Sequence, residues 1–295
     1  MSTPQTLVST LRADGVEIFY RSAGPPSAPA ILLLHGFPSS SHQFRNLIPL
    51  LARTHRVIAP DLPGYGFTTV PVDRKYEYTF ANLTTTIEAF VAALALKRFA
   101  VYIFDYGAPV GLRLALKHPA MITAVVSQNG NAYEEGFGKE FWAPVRGYWE
   151  ADSATIEEVR KAIREKVLVL ETTKWQYEAG NPRAEKVQPE AYYLDQALME
   201  REGNKEVQLD LLRDYRTNVP LYPEFQRWFR ESGVPVLAVW GKNDVIFVKE
   251  GADAFERDVK VFEKQFVDSG HFALETNEEY FAEVIEGFLK KHVVV

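Results

Sequence analysis

Four continuous apolar runs dominate the first half of this chain: AILLLHG (Ala30 to Gly36), RVIAPD (Arg56 to Asp61), FAVYIFD (Phe99 to Asp105) and ITAVVSQ (Ile122 to Gln128). Each stops at a polar or turn residue. A strand with one wet face would alternate apolar and polar; these do not, so they read as strands buried on both faces of a parallel sheet. Between them Leu83, Ile87, Phe90, Val91 and Leu94 recur at helical spacing, and Pro109 to Lys117 is a second candidate helix. That strand–helix rhythm predicts a mostly parallel sheet covered by helices on both sides. Ahead of it, the Asp14-Gly15 pair in TLRADGVEIFYRSAG is a hairpin signal and predicts an antiparallel start.

The rhythm breaks after Gln128. From about residue 131 to 222 the chain is charged and aromatic, with helical patches such as SATIEEVRKAIREKVLVLE, whose start is rich in acid. Strand-like runs resume at VPVLAVWG (Val234 to Gly241) and KQFVDSG (Lys264 to Gly270), and EEYFAEVIEGFLKK makes a last amphipathic helix. The expected organisation is one doubly wound core, residues 1–130 and 223–295, interrupted by a helical cap over 131–222. A chain of 295 residues suits a main domain with one large insertion.

Composition narrows the chemistry. With no cysteine there is no disulfide, thiol nucleophile or thiolate metal site. The net charge of −6 and the scattered basic residues argue against nucleic acid. MSTPQTLVST lacks the basic and apolar regions of a signal peptide, and no apolar run reaches the roughly 18 to 20 residues needed to span a bilayer. The expected location is therefore the cytoplasm, with no membrane partner. Paired-histidine spacing and Gly-x-Gly-x-x-Gly are both absent, so metal and dinucleotide sites are not expected.

In open α/β sheets, chemistry collects beyond the C-terminal ends of the strands. The residues standing there are His35-Gly36-Phe37-Pro38, Asp61, Asp105, Asp244 and His271. Asp105 leads into Tyr106-Gly107-Ala108-Pro109, the small-residue turn of a strand-to-helix elbow that exposes its central side chain. Alone, it could equally be a helix cap. Asp244, in WGKNDVIF, could be a turn residue, and a lone His271 in DSGHFALE could be structural. Together they stand in the order nucleophile, acid, histidine, which is the α/β-hydrolase order. No Gly-x-Ser-x-Gly supplies a competing serine.

The stretch HGFPSSSHQFRNLIPLLARTHRVIAPDLPGYGFT, with its Asp61, Gly64 and Gly66 spacing, resembles the early core of the epoxide hydrolase and haloalkane dehalogenase branch of the α/β-hydrolases. The elbow, VWGKNDVIF and DSGHFALE extend the resemblance over nearly the whole core. It implies an eight-stranded α/β-hydrolase sheet, with Asp105 as nucleophile, His271 as base and Asp244 as the histidine's partner. The backbone N–H groups of Phe37 and Tyr106 would form the oxyanion hole, and no cofactor or metal is implied. Two residues depart from the branch: Phe104 stands where histidine is usual, and Tyr106 where tryptophan is frequent.

A carboxylate nucleophile suits attack on an sp³ carbon, leaving an ester that His271 would hydrolyse by activating water. A displaced halide needs N–H donors, and an opened epoxide needs an acid. Tyr106 brings neither the indole of haloalkane dehalogenases nor the arginine of haloacetate dehalogenases. The branch opens epoxides with cap tyrosines. LLRDYRTN implies Tyr215 as one; near FWAPVRGYWEADS the family position falls on Val145, so Tyr148 is the substitute, with Tyr192-Tyr193 as a further pair. Trp142 and Phe272 are expected to contact an apolar substrate. The resulting expectation is an epoxide hydrolase acting on a small apolar organic molecule with water as co-substrate. Haloalkane or haloacetate dehalogenation and non-catalytic ligand binding are the alternatives. Oligomeric state stays open, a homodimer included.

Overall fold

The computed structural model describes residues 4–293. Eight strands form one sheet: β1 (Leu7–Ala13), β2 (Val16–Ala23), β3 (Ala30–Leu34), β4 (Arg56–Pro60), β5 (Phe99–Phe104), β6 (Ile122–Gln128), β7 (Val236–Gly241) and β8 (Phe262–Val267). Their order is β1-β2-β4-β3-β5-β6-β7-β8. β1 pairs with β2, and β2 with β4, antiparallel; every later neighbour is parallel. The hairpin turns at Asp14 and Gly15, both left-handed with φ of 52° and 72°.

The central strands are buried throughout because each face has its own core. Leu32, Leu34, Val101 and Ile103 point into one hydrophobic cluster, while Ile31, Leu33, Tyr102 and Phe104 point into the other. Alternate residues of one strand thus serve opposite faces, and continuous apolar runs are what such a sheet requires. The first cluster is closed by α2 (Phe80–Ala93), α3 (Gly107–Lys117) and α9 (Tyr222–Ser232) through Ile87, Val110 and Phe229. The second is closed by α1 (Leu47–Leu51) and α11 (Glu278–His292) through Leu47, Phe281 and Phe288. The edge strand β8 carries Glu263 and Lys264, charges of the kind that discourage edge-to-edge pairing.

Between β6 and β7 the chain makes a helical excursion: α4 (Lys139–Glu150), α5 (Ile156–Lys166), α6 (Leu170–Glu178), α7 (Pro189–Met199) and α8 (Asn204–Asp214), followed by α9. Helices α4, α5, α7 and α8 and the α5–α6 connection share a small core built on Tyr148, Ile163, Leu168, Met199 and Leu209, against which Phe37 also packs. The short helix α10 (Glu250–Ala254) follows β7. Successive connections run in opposite directions from β3, to β4 on one side and β5 on the other. The crevice at such a switch point is where α/β sheets place ligands.

Candidate active site

Asp105 stands at the summit of the turn between β5 and α3, with φ of +46°. A non-glycine residue held in the left-handed region costs on the order of 1–3 kcal/mol, so the surroundings must enforce it. They do so through close approach. A Cβ on Gly107 would lie 2.2 Å from the Leu34 carbonyl oxygen, and one on Gly36 would lie 2.2 Å from Asp105 Oδ1. Only glycine at both positions lets the elbow sit against the loop after β3.

That loop delivers Phe37, whose backbone N–H donates to Asp105 Oδ1 at 2.6 Å. The Tyr106 N–H supports the same carboxylate. His35 holds the loop in place: its Nε2 accepts from the Leu62 N–H at 2.9 Å, and its Nδ1 bonds the Gly36 carbonyl at 3.0 Å. Burial pushes the His35 pKa down to about 4, so the ring stays neutral and can accept at Nε2. Asp61, the other strand-end carboxylate, is also structural; it accepts from the N–H groups of Ser41 and Phe67, each at 2.7 Å.

His271 follows β8. Its Nδ1 bonds Asp244 Oδ2 at 2.7 Å, and its Nε2 lies 3.9 Å from Asp105 Oδ2, with no hydrogen-bond partner among the described residues. Asp244 is held in turn by the Ile246 N–H on Oδ1 and by the Asn129 amide on Oδ2, both at 2.7 Å. Asn129 also accepts from the Gly241 N–H at 3.0 Å, bracing β6 against β7. Burial lifts the Asp105 pKa to about 6, against the pull of His271 and the two amides. For His271 burial works downward, but the neighbouring Asp244 and then Asp105 outweigh it, and its pKa is raised. One carboxylate is thus cradled by N–H groups and faced by an imidazole whose other nitrogen is fixed by a second carboxylate. Such a group can attack carbon, and the imidazole can deprotonate a water aimed at the ester formed.

A cavity of about 220 Å³ opens on this carboxylate. Phe37, Asp105 and Tyr106 form its floor; Trp142, Val145, Ile163, Leu168 and Leu212 of the excursion cover it, with Gln176 and Gln208 as polar points. A larger cleft of about 880 Å³ lies at the other end of the strands, beside Ala30, Ala100 and Thr123, far from any of these groups.

The structure brings together Asp105, Asp244, His271, Phe37, Tyr106 and Trp142. It separates others from the cavity. Tyr148 faces the excursion's own core: its hydroxyl donates to the Leu209 carbonyl and accepts from Arg160, both at 3.1 Å, so it is not presented to Asp105. Tyr215 comes nearer, its ring 5.6 Å from that of Tyr106, but its hydroxyl pairs with that of Tyr222 at 3.4 Å and it does not line the cavity. Phe272 is a packing residue rather than a substrate contact, stacked on Tyr177 of α6 at 3.8 Å. Tyr192 packs against Tyr177, and Tyr193 is exposed. His35, which holds the loop, stood in the His-Gly-x-Pro stretch of the resemblance, whereas Asn129, which holds Asp244, carried no motif and had only its position at a strand end as a signal.

Elbow, switch-point crevice and strand order together point to one family, and a family model for the alpha/beta hydrolase fold matches residues 29–278. This chain belongs to the α/β-hydrolases. A Saccharomyces cerevisiae protein known as an uncharacterized hydrolase is 48% identical over 275 residues, covering 92% of this α/β-hydrolase and 93% of the yeast chain. A haloalkane dehalogenase of Psychrobacter cryohalolentis is 36% identical over 115 residues, 39% of this chain and 38% of its own. Among solved structures, the epoxide hydrolase CorEH superposes with a TM-score of 0.79 at 18% identity, covering 97% of this α/β-hydrolase and 99% of that chain. At that identity the likeness concerns the fold.

Proposed function

We propose that this α/β-hydrolase opens small epoxides to diols through an ester on Asp105. The observation that carries the reading is the carboxylate itself: one oxygen is held by the Phe37 N–H, while the other faces His271. In ester formation Oδ2 attacks an sp³ carbon of the substrate, the C–O bond of the ring breaks, and its electron pair goes to the epoxide oxygen, which takes a proton. In the second step His271 removes a proton from water, the water attacks the Asp105 carboxyl carbon, and the amides of Phe37 and Tyr106 stabilise the oxyanion. On collapse His271 gives that proton to the departing alkoxide, the diol leaves, and the Asp105 carboxyl returns its own proton to the group that protonated the epoxide oxygen, which restores the carboxylate. Asp244, held by Asn129, keeps the His271 Nδ1–H tautomer so that Nε2 is the base.

Choice of epoxide over alkyl halide rests on the tryptophans. A departing halide is best met by N–H donors, yet the Trp142 indole donates to the Ile246 carbonyl at 2.8 Å and the Trp149 indole to the Leu212 carbonyl at 2.9 Å. Residue 106, beside the nucleophile, carries a phenol instead. The haloalkane dehalogenase relative keeps dehalogenation as the second reading. The helical excursion acts as a cap that keeps bulk water from the ester.

His271→Gln separates the readings. It blocks the second step, so incubation with a panel of small epoxides should leave a mass adduct on Asp105 equal to the whole epoxide. An alkyl adduct from a haloalkane panel, with halide released, would replace this proposal by the second reading. No adduct and no wild-type turnover with either panel would leave a ligand-binding protein.

A further inference from the structure

We infer that the Tyr106 hydroxyl is the acid that protonates the epoxide oxygen. This rests on the epoxide reading above and names a residue for the step that reading leaves without one. Ring opening places a negative charge on an oxygen that stays attached to the substrate, so a donor must stand in the cavity that Asp105 faces. Four polar side chains other than Asp105 line that cavity: Tyr106, Glu140, Gln176 and Gln208. Glu140 is exposed to solvent at its edge rather than enclosed with Asp105. Gln176 and Gln208 can hydrogen-bond but cannot release a proton, and the Gln208 amide already donates to the Gly64 carbonyl at 3.0 Å. A phenol remains.

Of the other buried phenols, Tyr65 also has a hydroxyl without a partner among the described residues, beside Tyr106, but it does not line the cavity, and three more are engaged. Tyr148 donates to Leu209, Tyr177 donates to Asp195, and Tyr215 pairs with Tyr222. The Tyr106 hydroxyl makes no hydrogen bond among the described residues, although the side chain lies in the cavity wall. Its ring is held by Phe80, edge-on at 5.0 Å, and by Tyr215 at 5.6 Å, so the hydroxyl has a defined direction. A rigid elbow thereby supplies two donors from one residue, the N–H to the carboxylate and the O–H to the leaving oxygen.

The charges balance. Burial, and then the charge of Asp105, raise the phenol pKa well above its ordinary value, so before reaction the group is protonated at any working pH. Ester formation removes the Asp105 charge in the same step in which Tyr106 gives up its proton. One negative charge moves from carboxylate to phenolate, and the repulsion that disfavoured the phenolate vanishes as it forms. When hydrolysis returns Asp105 as a carboxylic acid, its proton restores the phenol. Over the cycle, epoxide and water give diol.

The test uses the full-length His271→Gln protein and 1,2-epoxyhexane, with ester formation followed by rapid quench and intact mass. Adding Tyr106→Phe should slow ester formation about 10²- to 10³-fold. A transient tyrosinate absorbance should accompany ester formation in His271→Gln and be missing from the Tyr106→Phe double variant. That signature would not respond to a merely structural role. Ester formation at an unchanged rate without the Tyr106 hydroxyl, or a loss that follows Tyr215→Phe instead, would overturn the assignment while leaving the epoxide reading intact. Failure of His271→Gln itself to form any ester with the epoxide would overturn both.

Discussion

Asp105 and His271 are 3.9 Å apart in a buried site, so each sets the other's charge. Asp105 must be ionised to attack, and its pKa is lifted to about 6. Ester formation should therefore fall as pH drops through about 6, well above the range expected for an exposed aspartate. His271 must be neutral to accept a proton, and its pKa is raised, so hydrolysis of the ester should climb as pH rises through that value and then level off. Because Asp105 is one of the groups holding His271 up, esterification should lower the histidine's pKa and ready the base when it is needed. Rapid-quench rates for the two steps across the pH range check this; an ester-formation rate that stays flat far below pH 6 would contradict it. Asn129→Ala removes one hydrogen bond from the buried Asp244 carboxylate. Hydrolysis should slow roughly ten- to a hundredfold, since hydrogen bonds to charged groups contribute about 1.5–3 kcal/mol, with ester formation spared. Asp105, Asp244 and His271 could be read from the chain because strand ends are marked by where an apolar run stops. Asn129 could not, because SQNG reads as an ordinary turn and its bond to Asp244 spans 115 residues.

At the level of elements, the sheet was legible and the excursion was not. A strand buried on both faces has a composition that local sequence displays, whereas the rotation of α4 or α8 about its own axis is decided by what packs on it. Tyr148 sits on α4 three residues from the cavity-lining Val145, about 60° round the helix, and its hydroxyl is taken up by Leu209 and Arg160 rather than by the cavity. Tyr148→Phe should consequently cost about 1 kcal/mol of stability through the lost hydrogen bond. It should leave both chemical steps as they are, which denaturant unfolding and rapid quench would establish together. A large loss of ring opening in this variant would mean that the Tyr148 hydroxyl leaves Leu209 and Arg160 for the cavity during turnover. Phe272 differs for a related reason: adjacency to His271 in the chain suggests the pocket, whereas its ring stacks on Tyr177 of α6.

Across the whole molecule, one guanidinium joins three distant segments. Arg45, just after β3, makes a double hydrogen bond with Glu275 in the turn beyond His271, at 2.7 and 3.0 Å, and reaches Gln188 of the excursion at 3.1 Å. The Glu275 side chain is only 1% exposed. Arg45→Met would leave that carboxylate buried without its partner, a change that typically costs about 3–5 kcal/mol. The variant should melt several degrees lower, and the double variant Arg45→Met with Glu275→Leu should recover most of the loss. Equal melting of the single and double variants would show that the pair is not what holds the segments together. The Phe272–Tyr177 stack spans the same boundary, with ring centroids 3.8 Å apart and planes 12° from parallel. Rings that close shield each other's protons by their ring currents. The Phe272 resonances should therefore lie upfield while α6 is seated and move toward ordinary positions whenever the helices lift. The fold thus contains, one residue from His271, a native magnetic gauge of how often the site is open.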